Sequence, residues 1–285
     1  MISEVSATSS NFLNLSANKR KEIVLKIIVY FISIVLALVT LYPVIMLVVD
    51  FTGFDVANPS QVLKTLRHRG EQFIKFFEQR TVIGFVNSVI VSASSTILNV
   101  YFSAMTAYSI TAYQWKFRKV LSNFTLILMM FPTVIVSAGF IRLAYRFHLN
   151  NNLALLILPA IATPISVVFM RMYLESAFTM DIVYSARIDG AGEFRIFNQI
   201  ALPIMKPAIA TQAIFALAHN WNDTFLPMVL LTENEKKTLP QILMLNYALG
   251  QTTIPMVFST VPLIIVYIIL ARHLVEGVQL GSVKL

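Results

Sequence analysis

The sequence predicts an all-α integral membrane protein, and three observations carry that expectation. Its 285 residues are 57% hydrophobic and only 13% charged, against about half and about a quarter in an ordinary soluble domain. The mean hydropathy is +0.73. The 14 acidic and 22 basic residues cluster between apolar runs rather than along them, as expected if each run crosses hydrocarbon. The chain has no cysteine, which excludes disulfides, thiolate metal sites and cysteine catalysis. Its formal charge of +8 fits loops biased toward the cytoplasmic side and gives little weight to nucleic-acid binding.

Taken in order, residues 1–22 read as a cytoplasmic tail, polar and mobile, with no apolar core or cleavage site of a removable signal peptide. Lys19, Arg20 and Lys21 precede the run from Ile23 to Val49, which at about 1.5 Å per residue exceeds a hydrocarbon thickness of about 30 Å. Pro43 is expected to kink or end its outer part. Residues 51–80 carry turn signals at Gly53 and Asn58-Pro59. A helical pattern through Val62, Leu66, Phe73 and Phe76-Phe77 follows, giving one extracytoplasmic amphipathic helix near the surface. The second span covers 82–113. Its Ser103, Thr106, Ser109, Ala104, Ala107 and Ala112 are small residues at helical spacing, the signature of close helix packing in membranes.

Gln114 to Lys119 form a basic cytoplasmic loop. The third span, 120–143, is expected to bend, being interrupted by Pro132 and Gly139. An outer turn at 146–152 leads to the fourth span, 153–174, which holds Pro159 and Pro164. The fifth span runs over 204–231, an outer loop over 232–253 and the sixth span over 254–270. The membrane domain is thus 23–276, with 277–285 a cytoplasmic tail. With both ends inside, inner segments hold 13 of the 22 lysines and arginines, and residues 51–80 hold five of the other nine, so charge supports this topology only weakly.

The tract between the fourth and fifth spans reads DIVYSARIDGAGEFRIFNQIALPIMKP from Asp181 to Pro207. Gly190 and Gly192 flank Ala191, so the backbone can turn sharply between two short helices. In the second of these, Phe194, Phe197 and Ala201, with Ile200 beside them, form a narrow apolar stripe that could sit in a partner's groove. Glu193, Arg195 and Asn198 lie off it. A new helix is expected near Pro203. A second dense polar cluster, His219-Asn220-Trp221-Asn222-Asp223, lies inside the fifth span. Burying it against lipid is costly, so it faces protein, a water-filled pathway or the outer interface, and Asp223 requires a partner. The four histidines show no metal-ligand spacing, and no phosphate-binding loop of the G-x-x-x-x-G-K-[ST] type occurs.

The 181–207 tract resembles the cytoplasmic loop of permease subunits of binding-protein-dependent ABC importers. Ala186, Asp189-Gly190-Ala191 and Ile200-Ala201-Leu202-Pro203 match in order and spacing, while Tyr184 stands where that motif opens with glutamate and Ser185 replaces its first alanine. Three further runs resemble the carbohydrate branch, the maltose-importer permease family: Asn87-Ser88, the Trp221-Asn222-Asp223 run with Phe225 and Pro227, and the ending with Gly277, Gly281 and Lys284. The resemblance implies six transmembrane helices in the type I ABC importer permease fold, with a cytoplasmic coupling helix between helices four and five. It implies that the coupling loop, 181–203, meets an ATPase through Tyr184, Ser185, Ala186, Asp189, Gly190, Ala191, Glu193, Phe194, Phe197, Leu202 and Pro203. Asn220, Trp221, Asn222 and Asp223 are candidates for the pathway or its outer gate, with packing between subunits the equal alternative.

The implied partners are a second homologous permease, two ATP-binding subunits, an extracytoplasmic solute-binding protein and an oligosaccharide, in a bacterial cell membrane. ATP and Mg belong to the partner ATPase and no cofactor or catalytic residue to this chain. A permease for a non-sugar solute shares the loop motif. An ion-driven secondary transporter is the more distant alternative, and it calls for intramembrane carboxylates, of which only Asp223 is convincing.

Overall fold

The structure, a computed structural model, describes residues 2–52, 61–78, 81–248 and 259–270. Gly53, Asn58-Pro59, residues 249–258 and the ending from 271 onward, including Gly277, Gly281 and Lys284, lie outside the described residues. All regular structure among the described residues is helical. The chain divides into two units, 1–70 and 71–285.

The first unit is dominated by α1, Ile2–Thr52. The tail expected over 1–22 is therefore helical and continuous with the apolar run. No glycine or proline precedes Pro43, and a helix nucleated in the apolar segment extends cheaply through Ser and Asn once begun. Pro43 also lies inside α1 without ending it. Proline removes one backbone bond, a loss that membrane helices tolerate. Within α1, Glu22–Met46 is long and apolar enough to cross a bilayer. The amphipathic segment expected next is helix α2, Gln61–Glu78.

In the second unit α3, Thr81–Ala112, packs against α7, Pro164–Ala177, and α11, Lys206–Asn222. Its buried face is built from Ser88, Ser92, Ser95, Asn99, Ser103, Ala104 and Ala107. Small side chains let backbones approach closely where lipid supplies no hydrophobic drive toward association. The third span is bent, as expected: α4, Arg118–Met130, and α5, Thr133–Arg146, meet at 97°. Pro132 sets this break, since it holds Phe131 extended at φ −77°, ψ 130°. Gly139 sits inside α5 without interrupting it. The fourth span is α6, Ala154–Ile157, a 3₁₀ turn at Leu158–Ala160 and α7, with Pro164 opening α7.

Then come α8, Met180–Ile188; α9, Glu193–Ile196, continued by a π-helical turn Phe197–Ala201; and α10, Leu202–Ile204. A short helix, α10, opens near Pro203 as expected, and the long helix of the fifth span starts at Lys206, with Pro207 in its first turn, after Met205 breaks the chain at ψ 0°. Segments Glu193–Ile204 and Lys206–Leu230 cross at 79°. After α11 follow α12, Phe225–Leu230, α13, Leu239–Ala248, and α14, Ser259–Leu270. The segment expected as an outer loop over 232–253 thus contains a helix. Leu239 is fully buried, and α13 packs on α3 so closely that a side chain at Gly84 would meet Ile242.

Among the described residues, three helices are long and apolar enough to cross a membrane, and each of the two bent pairs passes the same test as one broken span. Two apolar clusters hold the second unit together. One gathers Ala104, Ala107 and Tyr108 of α3, Met170 and Leu174 of α7, Val183 and Ala186 of α8, and Ile196, Phe197, Ala201 and Met205. The other gathers Val91, Ala144, Leu155, Leu156, Leu230 and Leu231.

Candidate functional site

The tract from 181 to 203 is a sharp elbow seated on the first of those clusters. Helix α8 ends in a two-bond cap: Gly190 N donates to Arg187 O at 3.0 Å and Ala191 N donates to Ala186 O at 3.0 Å. This closure requires a left-handed residue after the helix, and Gly190 supplies it at φ +78°. Gly192 returns to extended backbone at φ −71°, ψ 154°, and its carbonyl accepts from Arg195 N and Ile196 N to start α9. The spacing of the two glycines therefore predicts the turn that forms.

The elbow has an inner and an outer side. Val183, Ala186, Ile196, Phe197 and Ala201 are buried in the cluster beneath it. Outside stand Ser185, Asp189, Gly190 and Pro203, all exposed, together with Tyr184, Ile188 at 86% and Phe194 at 71% exposure. Ala191, Glu193 and Leu202 are half-buried. This divides the expected stripe. Phe194 is available to a partner, but Phe197 and Ala201 face the protein's own core, because the π-helical turn changes the residue-to-residue rotation. Ala186 is likewise a packing residue. The sequence missed Ile188, whose exposure on the tip of α8 makes it a more prominent apolar contact than Phe197.

A charged clasp spans the turn. Arg187 Nε donates to Glu193 Oε1 at 2.7 Å, and Tyr108 OH, from α3, donates to Glu193 Oε2 at 3.4 Å. The Arg187 guanidinium lies 5.6 Å from the Tyr113 ring and 5.8 Å from the Tyr184 ring. Burial alone would push the Glu193 carboxyl up, but hydrogen bonds from Arg187 and the Tyr113 and Tyr108 hydroxyls outweigh it and hold the group below its ordinary value. The same hydrogen bond to Glu193 raises Arg187. A pocket of about 440 Å³, lined by Met105, Tyr108, Tyr113, Trp115, Glu193 and Phe194 among others, opens beside the clasp.

The cluster at 219–223 lies at the far end of α11, away from the elbow. Trp221 is buried, its Nε1 donates to Ser259 O at 3.0 Å, and its ring meets Phe85 edge-on at 5.8 Å. Asn222 Nδ2 donates to Ala218 O at 2.9 Å. The partners expected for Asp223 are backbone amides: Oδ1 accepts from Phe225 N at 3.0 Å and Leu226 N at 3.4 Å, at the start of α12. Asn220 is half-buried beside them, and His219 is exposed.

Two sets of polar residues take roles that only the fold reveals. Asn87 Nδ2 donates to Glu235 O at 2.9 Å and Lys237 O at 3.0 Å, and Ser88 Oγ accepts from Leu239 N at 2.8 Å. Asn151, left-handed at φ 60°, accepts on Oδ1 from Thr232 N at 2.7 Å and Glu233 N at 3.0 Å. Together these fasten the segment 232–239. Halfway along α3, Asn99 Nδ2 donates to Thr163 Oγ1 at 3.1 Å, Thr163 to Ser166 Oγ at 2.9 Å and Ser166 to Gln212 Oε1 at 3.0 Å, joining α3, α7 and α11.

Residues 99–279 match the family described as the binding-protein-dependent transport system inner membrane component. The arabinooligosaccharides transport system permease protein of Bacillus subtilis is 32% identical over 205 residues, covering 70% of this chain and 73% of its own. The diacetylchitobiose uptake system permease protein of Streptomyces coelicolor is 31% identical, covering 70% and 69%. The trehalose/maltose transport system permease protein of Thermococcus litoralis is 24% identical over 93% of this chain and 99% of its own. Among solved structures, a bacterial ABC transporter involved in the import of the acidic polysaccharide alginate matches with a TM-score of 0.69 at 19% identity, covering 90% of this chain and 98% of its own. That likeness concerns the fold.

Proposed function

Because this chain belongs to the family of binding-protein-dependent transport system inner membrane components, we propose that it is the permease subunit of an ATP-driven importer for oligosaccharides and that its 181–203 elbow couples to the ATPase. It forms half of a translocation pathway with a second permease. Six crossings complete the subunit, the sixth over 254–270, with both ends and the elbow on the cytoplasmic side of a bacterial cell membrane. An extracytoplasmic binding protein delivers the sugar, and the exposed residues 232–236 of the fastened segment are the surface it meets. ATP and Mg are held by the ATPase subunits.

One observation carries the coupling role. A left-handed glycine folds two short helices into an elbow whose outer face holds Tyr184, Ile188, Asp189 and Phe194, while its inner face is anchored in the core. Movement imposed on such a tip passes into α7 and α11 as rigid bodies, since the cluster under the elbow includes residues of both their ends. The relatives named above supply the substrate class. Trp221, Asn222 and Asp223, with Asn220, hold the other end of α11, where a gate would respond.

The chain contains no native cysteine, so a single Asp189→Cys can be cross-linked in membranes. The expected result is a specific adduct with the ATPase subunit. No adduct in an assembled complex, or labelling of the introduced thiol from outside intact cells, overturns the coupling role. Uptake of arabino-, chito- and malto-oligosaccharides against amino acids and polyamines tests the substrate class, and transport of only the latter overturns it.

A further inference from the structure

Arg187 touches both helices of the elbow and the Tyr113 ring just past the end of α3. It sits in the last turn of α8, bonds Glu193 at the start of α9, and has its guanidinium within 5.6 Å of Tyr113 and 5.8 Å of Tyr184. The turn between Arg187 and Glu193 is a tight cap with no core of its own. Ile188, Asp189 and Gly190 are exposed there, and nothing lies within 4 Å of where a side chain at Gly190 or Gly192 would begin. The angle between α8 and α9 therefore rests on the core cluster that holds Val183, Ala186 and Ile196, and on the Arg187–Glu193 bridge beside the exposed turn.

We propose that Arg187 is the positioning residue that sets the elbow angle, and that Tyr184 holds its guanidinium in place where the resembling motif carries a carboxylate; this rests on the coupling role proposed above. An isolated exposed ion pair holds little, because two long side chains must be ordered to form it. Here both partners are already ordered. Tyr113 and Tyr184 flank the cation, and the Tyr108 hydroxyl donates to the carboxylate.

The identity of residue 184 matters because it lies three positions before Arg187 on the same helix, within side-chain reach. A carboxylate there would accept the guanidinium hydrogen bonds and compete with Glu193. Tyr184 meets the cation with its ring rather than with an acceptor oxygen, so the Nε donor stays directed at Glu193. Tyr184 is thereby the substitution that commits Arg187 to bridging the turn. This extends the role of the tract from offering a contact surface to fixing its shape.

The test uses the assembled transporter, permease pair and ATPase subunits together, in nanodiscs. Spin labels at Asp181→Cys and Gln199→Cys, both exposed and on either side of the elbow, report its angle as a distance distribution. Wild type and Tyr184→Phe are expected to give the same narrow distribution, because phenylalanine keeps the ring. Arg187→Ala and Tyr184→Glu are expected to broaden it about twofold, the second although it adds a charge beside Arg187. An unchanged distribution in either of these two overturns the proposal, as does equal broadening in Tyr184→Phe. Loss of the Asp189→Cys adduct from an otherwise wild-type elbow overturns the coupling role instead, so the two failures are distinct.

Discussion

Gly190 is the residue whose backbone the elbow cannot replace. A side chain there would meet nothing within 4 Å, so alanine at φ +78° is penalised by conformation alone. Gly190→Ala is expected to lower the unfolding free energy in detergent by about 1 kcal/mol, while Gly192→Ala, at φ −71°, is near neutral. Equal effects at the two glycines would contradict the left-handed cap. Asn87 presents a different case, since its amide bonds two carbonyls of a segment almost 150 residues away. Asn87→Ala is expected to leave both carbonyls to solvent and to cost about 1–2 kcal/mol. Hydrogen exchange should rise selectively over 232–239, and a uniform rise across the unit would show that the bond does not act locally.

At the level of elements, what was legible in the sequence was what local chemistry decides. The glycine pair predicts the elbow and Pro132 predicts the bent third span, because both act on their own backbone within a residue or two. The π-helical turn at Phe197–Ala201 is settled by packing onto α3 and α8, so the stripe of spacing three and four could not reveal that Phe197 faces inward. Helix α13 was hidden for a similar reason, since Leu239 is placed by Ser88 from α3. The Arg187 clasp was half visible: its pairing with Tyr184 follows helical spacing, its pairing with Glu193 needs the turn. The third span offers a direct test of local control. Pro132→Ala restores an N–H and frees Phe131 to become helical, so labels at Asn123→Cys and Arg142→Cys should move apart toward the roughly 28 Å of a straight helix. A bend that persists at 97° would assign it to packing instead.

For the molecule as a whole, the second unit is two apolar clusters with a polar string between them along α3, α7 and α11. Packing fixes each end, while hydrogen bonds from Asn99 through Ser166 to Gln212 register the helices in the middle, at the modest strength such bonds have in membranes. Under the proposed coupling role, an input at the elbow would travel along α11 as rotation of a packed body, with Trp221 tied to α14 at the far end. The input itself depends on the tip. Asp189 is exposed at the apex and the apolar core beneath it does not include it, so Asp189→Lys reverses a charge at the proposed contact with the ATPase and leaves the fold intact. The expected phenotype is separation of the two halves of the cycle. The variant inserts into the membrane at normal levels and ATP hydrolysis persists, but sugar transported per ATP falls by about tenfold or more, as removing a charge-assisted contact at a buried interface predicts. Gly190→Pro should give the same separation by deforming the cap, since proline cannot adopt φ +78°. Normal uptake in both variants would remove the elbow from the coupling path, whatever the membrane helices do.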